Sequence, residues 1–335
     1  MESYTKKTFT SSRSLTYTYY DSAPTKPIDA SKPTIFLVHG FPDNAHLWKH
    51  VLPHLEPLGF RIILPDLLGY GSSSRPTTAS HYTSRACAAD YAALLAAEGI
   101  TRNVIAIGHD WGSYYAQRLY LWHPELVVGL GMLSAPYMPP DAPFDLAGAN
   151  AATEAATGWP RLAYWELFTA EDAAKVLDGH LESFWDACHG AGEHWVRGKF
   201  CMRGELRRFV EEGREAEEVL EYARPGNGWR EEWLSAVREG GGMAGALGPY
   251  LAMAGNYQYE VEKELPRERI VVQVPSFFLG CERDDACLWQ LIEGPKKAGL
   301  LPDLTVKIID STHWCTMEKP DVVGKALYDW LSEKF

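Results

Sequence analysis

Residues 108–113 read Gly-His-Asp-Trp-Gly-Ser and decide the fold. They follow an apolar run over 103–108 that predicts a buried strand, and they lead into a helical pattern over 112–123 that stops at Pro124. A Gly-x-x-x-Gly turn between a strand and a helix presents its central polar residue above a sheet, as a nucleophile. The flanking glycines let neighbouring backbones pass closely. The central residue is Asp110, so a plain helix-capping role for its side chain also remains open at this point.

The rest of the chain supplies the strands and helices of an α/β fold. Six apolar runs, rich in β-branched and aromatic residues, are typical of strands buried on both faces of a parallel sheet. They are Thr34–Val38, 61–64, 103–108, Val127–Leu133, 271–279 and Leu304–Ile309. Helical patterns over 82–98, 112–123 and 320–331 alternate with them, which predicts a mostly parallel central sheet flanked by helices. The alternating, Tyr- and Thr-rich residues 7–20 predict an antiparallel hairpin at the edge.

The alternation of strands and helices breaks between residues 137 and 262. This segment contains half of the twelve tryptophans, and residues 205–240 alone carry ten Glu and six Arg, as in solvated, salt-bridged helices. The sheet pattern resumes after it. We therefore expect an α-helical cap, residues 137–262, inserted into a core formed by residues 1–136 and 263–335, rather than two independent domains.

Composition narrows the classes of function. The 335 residues carry a net charge of −12, which argues against nucleic acid or an anionic membrane as a partner. No apolar run is long enough to span a bilayer, and the polar amino terminus lacks the apolar core of a signal peptide. The six cysteines form no motif, which indicates free thiols and predicts a cytoplasmic protein. The absence of phosphate-binding loops and metal-ligand spacings predicts no cofactor and no metal.

Three further stretches place polar groups at the same sheet edge as Asp110. Residues 39–42 (His-Gly-Phe-Pro) follow the first core strand, 280–285 (Gly-Cys-Glu-Arg-Asp-Asp) end the strand before the last, and 310–314 (Asp-Ser-Thr-His-Trp) follow the last. Open α/β sheets carry their sites at this carboxyl edge. The order nucleophile, acid, histidine is that of a hydrolase triad with His313 as its general base. His109 is expected to pack beneath the turn, and His39 to brace the loop.

Taken together, residues 39–42, 66–71 (Asp-Leu-Leu-Gly-Tyr-Gly), 108–112 and 312–314 resemble the epoxide hydrolases of the α/β-hydrolase superfamily, particularly the fungal members with an Asp nucleophile. The resemblance runs from about residue 8 to the carboxyl terminus and is weakest in the cap. It implies the α/β-hydrolase fold. It also implies that Asp284 is the triad acid, because the family places that acid about four residues after the small residue found here as Gly280. Asp285 is the alternative, and Glu282 ranks third.

The chemistry of substitution at a saturated carbon explains why the nucleophile would be an aspartate rather than a serine. Serine attacking a saturated carbon would form an ether that resists hydrolysis, whereas a carboxylate forms an ester that water can cleave. Asp110 therefore indicates substitution at an epoxide or a carbon–halogen bond. Its negative charge is favoured by the amino terminus of the following helix. The backbone N–H groups of Phe41 and Trp111 are expected to hold the oxyanion formed when the ester is hydrolysed.

An epoxide oxygen needs a proton donor when it leaves, and the resemblance implies that two cap tyrosines supply it. Tyr164 matches the first. The second normally lies in Asn-Trp-Tyr-Arg/Lys, and residues 255–259 here read Gly-Asn-Tyr-Gln-Tyr. Sliding the motif by one residue selects Tyr257, with Tyr259 in reserve. The residues expected to bind substrate are Phe41, Pro42, Trp111, Tyr164, Tyr257 and Trp314.

The predicted function is hydrolysis of an epoxide to a vicinal diol through a covalent ester on Asp110. Its partners would be a small, apolar organic substrate and water, in a monomer or homodimer. A dehalogenase is the first alternative. Phe41 stands where haloalkane dehalogenases usually carry Asn, and Trp111 stands where fluoroacetate dehalogenases carry Arg. An epoxide-opening cyclase and a non-catalytic binder with a hydrolase fold are the others, and the complete set of Asp110, Asp284 and His313 argues against the binder.

Overall fold

The computed structural model describes residues 3–23, 25–26, 29, 31–140 and 142–335, so the first two residues of the polar amino terminus lie outside it. Eight strands of these residues form one sheet in the order β1-β2-β4-β3-β5-β6-β7-β8. The strands are β1 (Thr5–Thr10), β2 (Thr16–Asp21), β3 (Thr34–Val38), β4 (Arg61–Pro65), β5 (Val104–His109), β6 (Val127–Leu133), β7 (Ser276–Cys281) and β8 (Leu304–Ile309). The pairs β1–β2 and β2–β4 are antiparallel, and every pair from β4 to β8 is parallel. The predicted α/β architecture and edge hairpin are confirmed.

One predicted strand is shorter than its apolar run. The sequence predicts a strand over 271–279, but β7 begins at Ser276, and Arg267–Ile270 form a 3-10 helix. Pro275 explains the difference because it has no N–H to donate to a neighbouring strand and is disfavoured inside a central strand. Its carbonyl still accepts a hydrogen bond from the Leu130 N–H at 3.0 Å. The proline therefore marks the start of the strand.

Helices cover the sheet and fill the connection between β6 and β7. The described residues form the α-helices α1 (Leu52–Leu55), α2 (Ser84–Ala97), α3 (Trp111–Trp122), α4 (Leu146–Thr157), α5 (Trp165–Phe168), α6 (Ala173–Gly179), α7 (Leu181–His189), α8 (Trp195–Phe200), α9 (Glu205–Glu211), α10 (Trp229–Glu239), α11 (Gly248–Ala254), α12 (Tyr257–Glu262), α13 (Glu293–Lys297), α14 (Cys315–Glu318) and α15 (Pro320–Lys334). Further 3-10 helices are Ala45–Trp48, Glu56–Leu58, Ala79–Tyr82, Glu221–Ala223 and Trp289–Ile292. Helix α3 packs on β5 and β6, and α2 packs on α3.

The segment between β6 and β7 contains helices α4 to α12. Its charged stretch lies on α9 and α10, as the composition indicates, and Arg207 of α9 pairs with Asp172 at 2.7 Å on the surface. Helix α10 also has a buried face, because Trp229 and Trp233 are only 6% and 5% exposed. The stretch is therefore amphipathic, with a solvated face and a packed face.

Two other sequence expectations concern membranes and thiols. Within the described ranges, no helix combines the length and the apolar character needed to cross a bilayer. All six cysteines are free thiols, and five of them are buried, whereas Cys287 is partly exposed. The prediction of unpaired, mostly buried thiols is confirmed.

A buried ion pair joins helix α3, which follows the nucleophile turn, to α12, the last helix of the segment between β6 and β7. Arg118 of α3 donates from Nε and Nη2 to the two carboxylate oxygens of Glu262, the last residue of α12, each at 2.9 Å. The Tyr114 hydroxyl donates to the same carboxylate at 2.7 Å. Burial alone raises the pKa of Glu262, but Arg118 outweighs it and holds that pKa below its usual range. The pair fixes α12 against α3.

We expect Glu262→Ala to lower the free energy of unfolding by about 3–5 kcal/mol, because it leaves the buried Arg118 guanidinium without its counter-ion. The remaining acceptors of Arg118, the Gln117 side chain and the Met138 carbonyl, are neutral. Asp172→Ala is the matched control. It removes the exposed partner of Arg207 and should cost less than about 1 kcal/mol. Urea unfolding followed by tryptophan fluorescence measures both values. Equal losses in the two variants would contradict the role given to the buried pair.

Candidate active site

The turn at residues 108–113 has the geometry of a nucleophile elbow. Asp110 lies between β5 and α3 with φ 54° and ψ −122°, an unusual backbone conformation for a residue with a side chain. A Cβ on Gly108 would lie 2.0 Å from the Gly112 carbonyl oxygen, and a Cβ on Gly112 would lie 2.1 Å from that of Val38. Only glycine fits at these two positions. The Asp110 side chain makes no capping hydrogen bond to α3, so the capping alternative is wrong.

The structure brings the three predicted triad residues together. His313 Nδ1 lies 2.6 Å from Asp284 Oδ2, and His313 Nε2 lies 3.5 Å from Asp110 Oδ2. Asp284 Oδ1 accepts hydrogen bonds from the N–H groups of Ala286 and Cys287 at 3.1 and 2.8 Å. Burial lowers the pKa of His313, but the charges of Asp284 and Asp110 outweigh it and raise that pKa well above its usual value. The imidazole is oriented by Asp284 and faces the nucleophile.

The neighbouring carboxylate, Asp285, points elsewhere. It accepts a hydrogen bond from Arg197 Nη2 at 2.9 Å and lies 3.5 Å from His194 Nδ1, so it joins the loop after β7 to helix α8. Two consecutive residues thus serve two different purposes. The choice of Asp284 over Asp285 as the partner of His313 agrees with the geometry. Glu282 is exposed and its backbone N–H bonds to Ile309.

Substituting Asp284 and Asp285 one at a time tests which of the two orients His313. Asp285→Asn should change the turnover of folded protein by less than about tenfold, which corresponds to less than about 1.4 kcal/mol in the barrier. Its melting temperature should fall because the Arg197 pair is lost. Asp284→Asn should lose much more turnover, since the correct tautomer of His313 depends on that carboxylate. Steady-state kinetics and thermal melts on both variants check this. A larger kinetic defect in Asp285→Asn than in Asp284→Asn would reverse the assignment.

One of the two predicted oxyanion-hole N–H groups contacts the Asp110 carboxylate. The Phe41 N–H donates to Asp110 Oδ1 at 2.7 Å. Trp111 is the first residue of α3, so its N–H has no partner within the helix. His39 braces the loop, because its Nδ1 lies 2.9 Å from the Gly40 carbonyl and its Nε2 accepts from the Leu67 N–H at 3.0 Å. Burial lowers the pKa of His39 to about 4, which keeps the ring neutral and suited to both bonds.

His109 lies beneath the turn, as the sequence analysis expects. It is fully buried, and its Nε2 donates to the His313 carbonyl at 2.8 Å, where the Ser134 hydroxyl donates as well. Burial lowers the pKa of His109 to about 4. Its role is therefore to hold the backbone of His313, and its ring does not reach the cavity.

A small cavity opens beside Asp110 and His313, with a volume of about 30 Å³. Its other walls are apolar and aromatic, with two tyrosines among them: Phe41, Tyr164, Phe168, Val196, Phe200, Tyr250, Ala286, Cys287 and Trp314. Trp314 is held from behind, because its Nε1 donates to Asp43 at 3.2 Å. Phe41, Tyr164 and Trp314 are thus at the cavity, as predicted.

Three predicted substrate contacts are not at the cavity. Tyr257 is 46% exposed on α12, so its prediction as the second tyrosine is wrong. Pro42 faces helix α10, where its carbonyl accepts from Trp233 Nε1 at 3.0 Å. The Trp111 ring packs behind the wall, 5.1 Å from the Tyr250 ring. The reserve choice, Tyr259, lies on the same helix as Tyr257 and does not line the cavity either.

The tyrosine that faces the cavity together with Tyr164 is Tyr250, which the sequence analysis missed. It lies on α11, is 2% exposed, and its ring centroid is 6.2 Å from that of Tyr164. The sequence contains a pattern that favours Tyr250 over Tyr257 as a buried residue. Residues 248–254 read Gly-Pro-Tyr-Leu-Ala-Met-Ala, an apolar helix with proline near its start, whereas Tyr257 follows Asn256 in a charged segment. Gln258, which an ungapped motif places at the tyrosine position, instead caps α2 by accepting from the Ser84 N–H at 2.6 Å.

Comparison with known proteins shows which proteins this chain resembles. The sequence profile of the alpha/beta hydrolase fold family matches residues 33–184. The chain is 27% identical to epoxide hydrolase srdG of Neurospora crassa over 96% of this chain and 93% of that protein. It is also 27% identical to bifunctional epoxide hydrolase 2 of Mus musculus, over 90% of this chain and 52% of that protein.

A solved structure supports the same fold. An epoxide hydrolase from an endophytic Streptomyces superposes with a TM-score of 0.80 at 23% identity, covering 99% of this chain and 96% of that one. The nucleophile elbow between β5 and α3 and the chain order nucleophile, acid, histidine are features described for this fold. The predicted α/β-hydrolase fold and the resemblance to the epoxide hydrolases are thereby confirmed.

Proposed function

We propose that the protein hydrolyses an epoxide to a vicinal diol through an ester on Asp110. The observation that carries this proposal is the pairing, across one cavity, of a carboxylate nucleophile with two phenols. The carboxylate suits attack at a saturated carbon, and the phenols suit an oxygen leaving group. The names of the relatives support the same reaction.

In the first half-reaction, an Asp110 oxygen attacks one epoxide carbon and the C–O bond to the ring oxygen breaks. Tyr164 and Tyr250 donate hydrogen bonds to that oxygen, and one of them transfers its proton as the bond opens. Burial raises the pKa of both phenols well above the usual value, so each retains its proton in the resting enzyme. The product of this step is a hydroxyalkyl ester of Asp110.

In the second half-reaction, water attacks the ester carbonyl. His313 Nε2 takes the water proton, and the Phe41 and Trp111 N–H groups hold the oxyanion. Formation of the ester weakens the hydrogen bond between His313 and Asp110, which is one of the causes that raise the pKa of His313. Alkylation therefore lowers the affinity of the imidazole for its proton and prepares it to act as a base. As the oxyanion collapses, the departing diol oxygen takes the proton held by His313. The second proton of the water returns through solvent to the tyrosinate, so that the carboxylate, the imidazole and the phenol are all restored.

The cavity also bears on the substrate and on the alternative function. A volume of about 30 Å³ has room for only a few water molecules, so we expect Tyr164 and Tyr250 to move apart when substrate enters. The aromatic wall favours an apolar substituent on the epoxide. A departing halide would instead need N–H donors, and the Trp314 indole N–H is already engaged by Asp43. The dehalogenase reading is therefore not favoured.

The proposal extends to the domain organisation, the location and the oligomeric state of the protein. Residues 137–262 would form the cap, with Tyr164 and Tyr250 as its contribution to the reaction, on a core formed by residues 1–136 and 263–335. The buried free thiols fit a reducing, cytoplasmic location. The expectation of a monomer or homodimer stays a prediction.

A small substrate panel tests the function. Styrene oxide, an aliphatic epoxide, a bromoalkane and an aryl ester are assayed with the wild-type protein and with Asp110→Asn. The proposal requires diol from at least one epoxide, no bromide release, and loss of epoxide turnover in Asp110→Asn. A cyclic ether in place of the diol would identify an epoxide-opening cyclase, and bromide release without epoxide turnover would identify a dehalogenase.

A further inference from the structure

Two peptide groups of the loop after β7 orient the carboxylate of Asp284. Its Oδ1 accepts hydrogen bonds from the Ala286 N–H at 3.1 Å and from the Cys287 N–H at 2.8 Å, and its Oδ2 lies 2.6 Å from His313 Nδ1. Burial raises the pKa of Asp284, but His313 and these two N–H groups outweigh it and hold that pKa below its usual range. The placement of the two peptide groups therefore decides how the acid holds the imidazole.

The carbonyls of the same two peptide groups are held by the segment between β6 and β7. Trp159 Nε1 donates to the Asp285 carbonyl at 3.1 Å. Arg161 Nη1 donates to the Ala286 carbonyl at 3.0 Å. The Asp285 carbonyl shares its peptide group with the Ala286 N–H, and the Ala286 carbonyl shares its own with the Cys287 N–H. Both peptide groups are trans, so the C=O and N–H of each point in opposite directions. Each group is therefore fixed from both sides, by a donor of the helical segment and by the triad acid.

The two donors also strengthen the bonds to the acid. A donor on a carbonyl polarises the whole peptide group, so that its N–H binds an acceptor more strongly. The Arg161 contact is charge-assisted, because its donor is a guanidinium. Asp285 and Ala286 are only 7% and 6% exposed, so water has little access to replace a lost donor.

We infer that Trp159 and Arg161 are positioning residues of the triad, which orient Asp284 through the two peptide groups that meet at Ala286. This deepens the proposed hydrolysis, on which the role of Asp284 as triad acid rests. The described residues that line the catalytic cavity include neither Trp159 nor Arg161, so the two act through the acid and not on the substrate.

The place of these residues in the chain links the two half-reactions. Tyr164, which faces the cavity, follows Arg161 by three residues. Residues 159–164 therefore place a proton donor for the first half-reaction and also the acid that serves the second.

The hydrogen bond between His313 and Asp284 reports on the inference without any substrate. A proton in so short a bond resonates far downfield in the proton NMR spectrum, and its absence in His313→Gln assigns it. We expect this resonance to move upfield or to disappear in Arg161→Met and in Trp159→Phe, because the carboxylate loses its alignment with the imidazole. Each variant removes one donor and keeps an apolar side chain in its place.

Arg203→Met is the matched control. It removes an exposed guanidinium of the same segment, which pairs with Glu154 and Glu166 at 3.0 and 3.1 Å, and it should leave the resonance as in the wild type. A resonance unchanged in both Arg161→Met and Trp159→Phe, or shifted equally in Arg203→Met, would overturn the inference, whatever the substrate panel shows.

On an epoxide that the protein turns over, the two half-reactions should respond differently to Arg161→Met. Ester hydrolysis should slow by about tenfold to a hundredfold, the cost of displacing a supporting group by about 1 Å. Ester formation should change much less, because it depends on Asp110 and the two phenols. Single-turnover kinetics separate the two steps. An equal loss in both steps would show a general loosening of the segment and would contradict the role given to Arg161.

Discussion

His313→Gln is expected to stop turnover after the first chemical step and to leave the enzyme covalently bound to its substrate. The reason is that the two half-reactions depend on different residues. Asp110 attacks as a carboxylate and needs no base, whereas water attacking the ester needs the proton acceptor that lies 3.5 Å from Asp110 Oδ2. General-base catalysis contributes about 10²–10⁴-fold, so the loss in turnover should lie at the upper end of this range. Intact-mass measurement should show the chain heavier by one substrate.

Peptide mapping locates the adduct, which should be on the peptide that contains Asp110. Asp110→Asn is the matched control, since it keeps the shape of the side chain but removes the nucleophile, and it should show no adduct. An inactive His313→Gln that never accumulates an adduct, although it binds substrate, would mean that His313 is needed before the ester forms. The two-step scheme would then be wrong.

Replacing both Tyr164 and Tyr250 by Phe is expected to give the second large loss, in the rate of ester formation. Tyr164→Phe and Tyr250→Phe should each slow ester formation by roughly one to three orders of magnitude, within the range of a positioned acid. The double variant should be slower than either single one, by about 10⁴-fold relative to the wild type, because no donor remains for the alkoxide. Stopped-flow measurement of the burst of ester formation separates this step from hydrolysis, which should be little changed.

Tyr257→Phe is the natural control for the tyrosine variants, because its side chain is 46% exposed on α12. We expect it to react at the wild-type rate. If Tyr257→Phe is slow and Tyr250→Phe is not, the assignment of the second donor is wrong. If neither Tyr164→Phe nor Tyr250→Phe is slower on an epoxide, the leaving group is not an oxygen held by these phenols, and the dehalogenase alternative returns.

Much of the fold can be predicted from short stretches of the sequence. The bounds of β3, β6 and β8 coincide with their apolar runs. Strands β3 and β6 are buried on both faces and need continuous apolar residues, whereas β8 lies at the edge of the sheet with Val306 and Lys307 exposed. The loops that carry Asp110, Asp284 and His313 follow such strands, and the carboxyl ends of parallel strands meet at one edge of the sheet. For this reason Asp110, His313 and an acid from residues 282–285 could be assigned to one site without knowledge of any distance between them. The choice of Asp284 among those acids came from the resemblance to the epoxide hydrolases.

The cap is different, because its residues reach the site through packing between helices. No strand pattern fixes which face of α11 or α12 points inward, and a motif slid along the sequence selected Tyr257. The choice failed because α12 is held by Gln258 and Glu262, both buried, which turns Tyr257 outward.

The central claim is that the new oxygen of the diol comes from Asp110 in the first turnover and from water only afterwards. A single turnover in H₂¹⁸O, with enzyme in excess over an epoxide substrate, tests it directly. Because water attacks the ester carbonyl, the diol should leave unlabelled, and one ¹⁸O atom should appear in the peptide that contains Asp110. A diol that carries ¹⁸O from this first turnover, with an unlabelled Asp110 peptide, would show direct attack of water on the epoxide and would contradict the covalent mechanism.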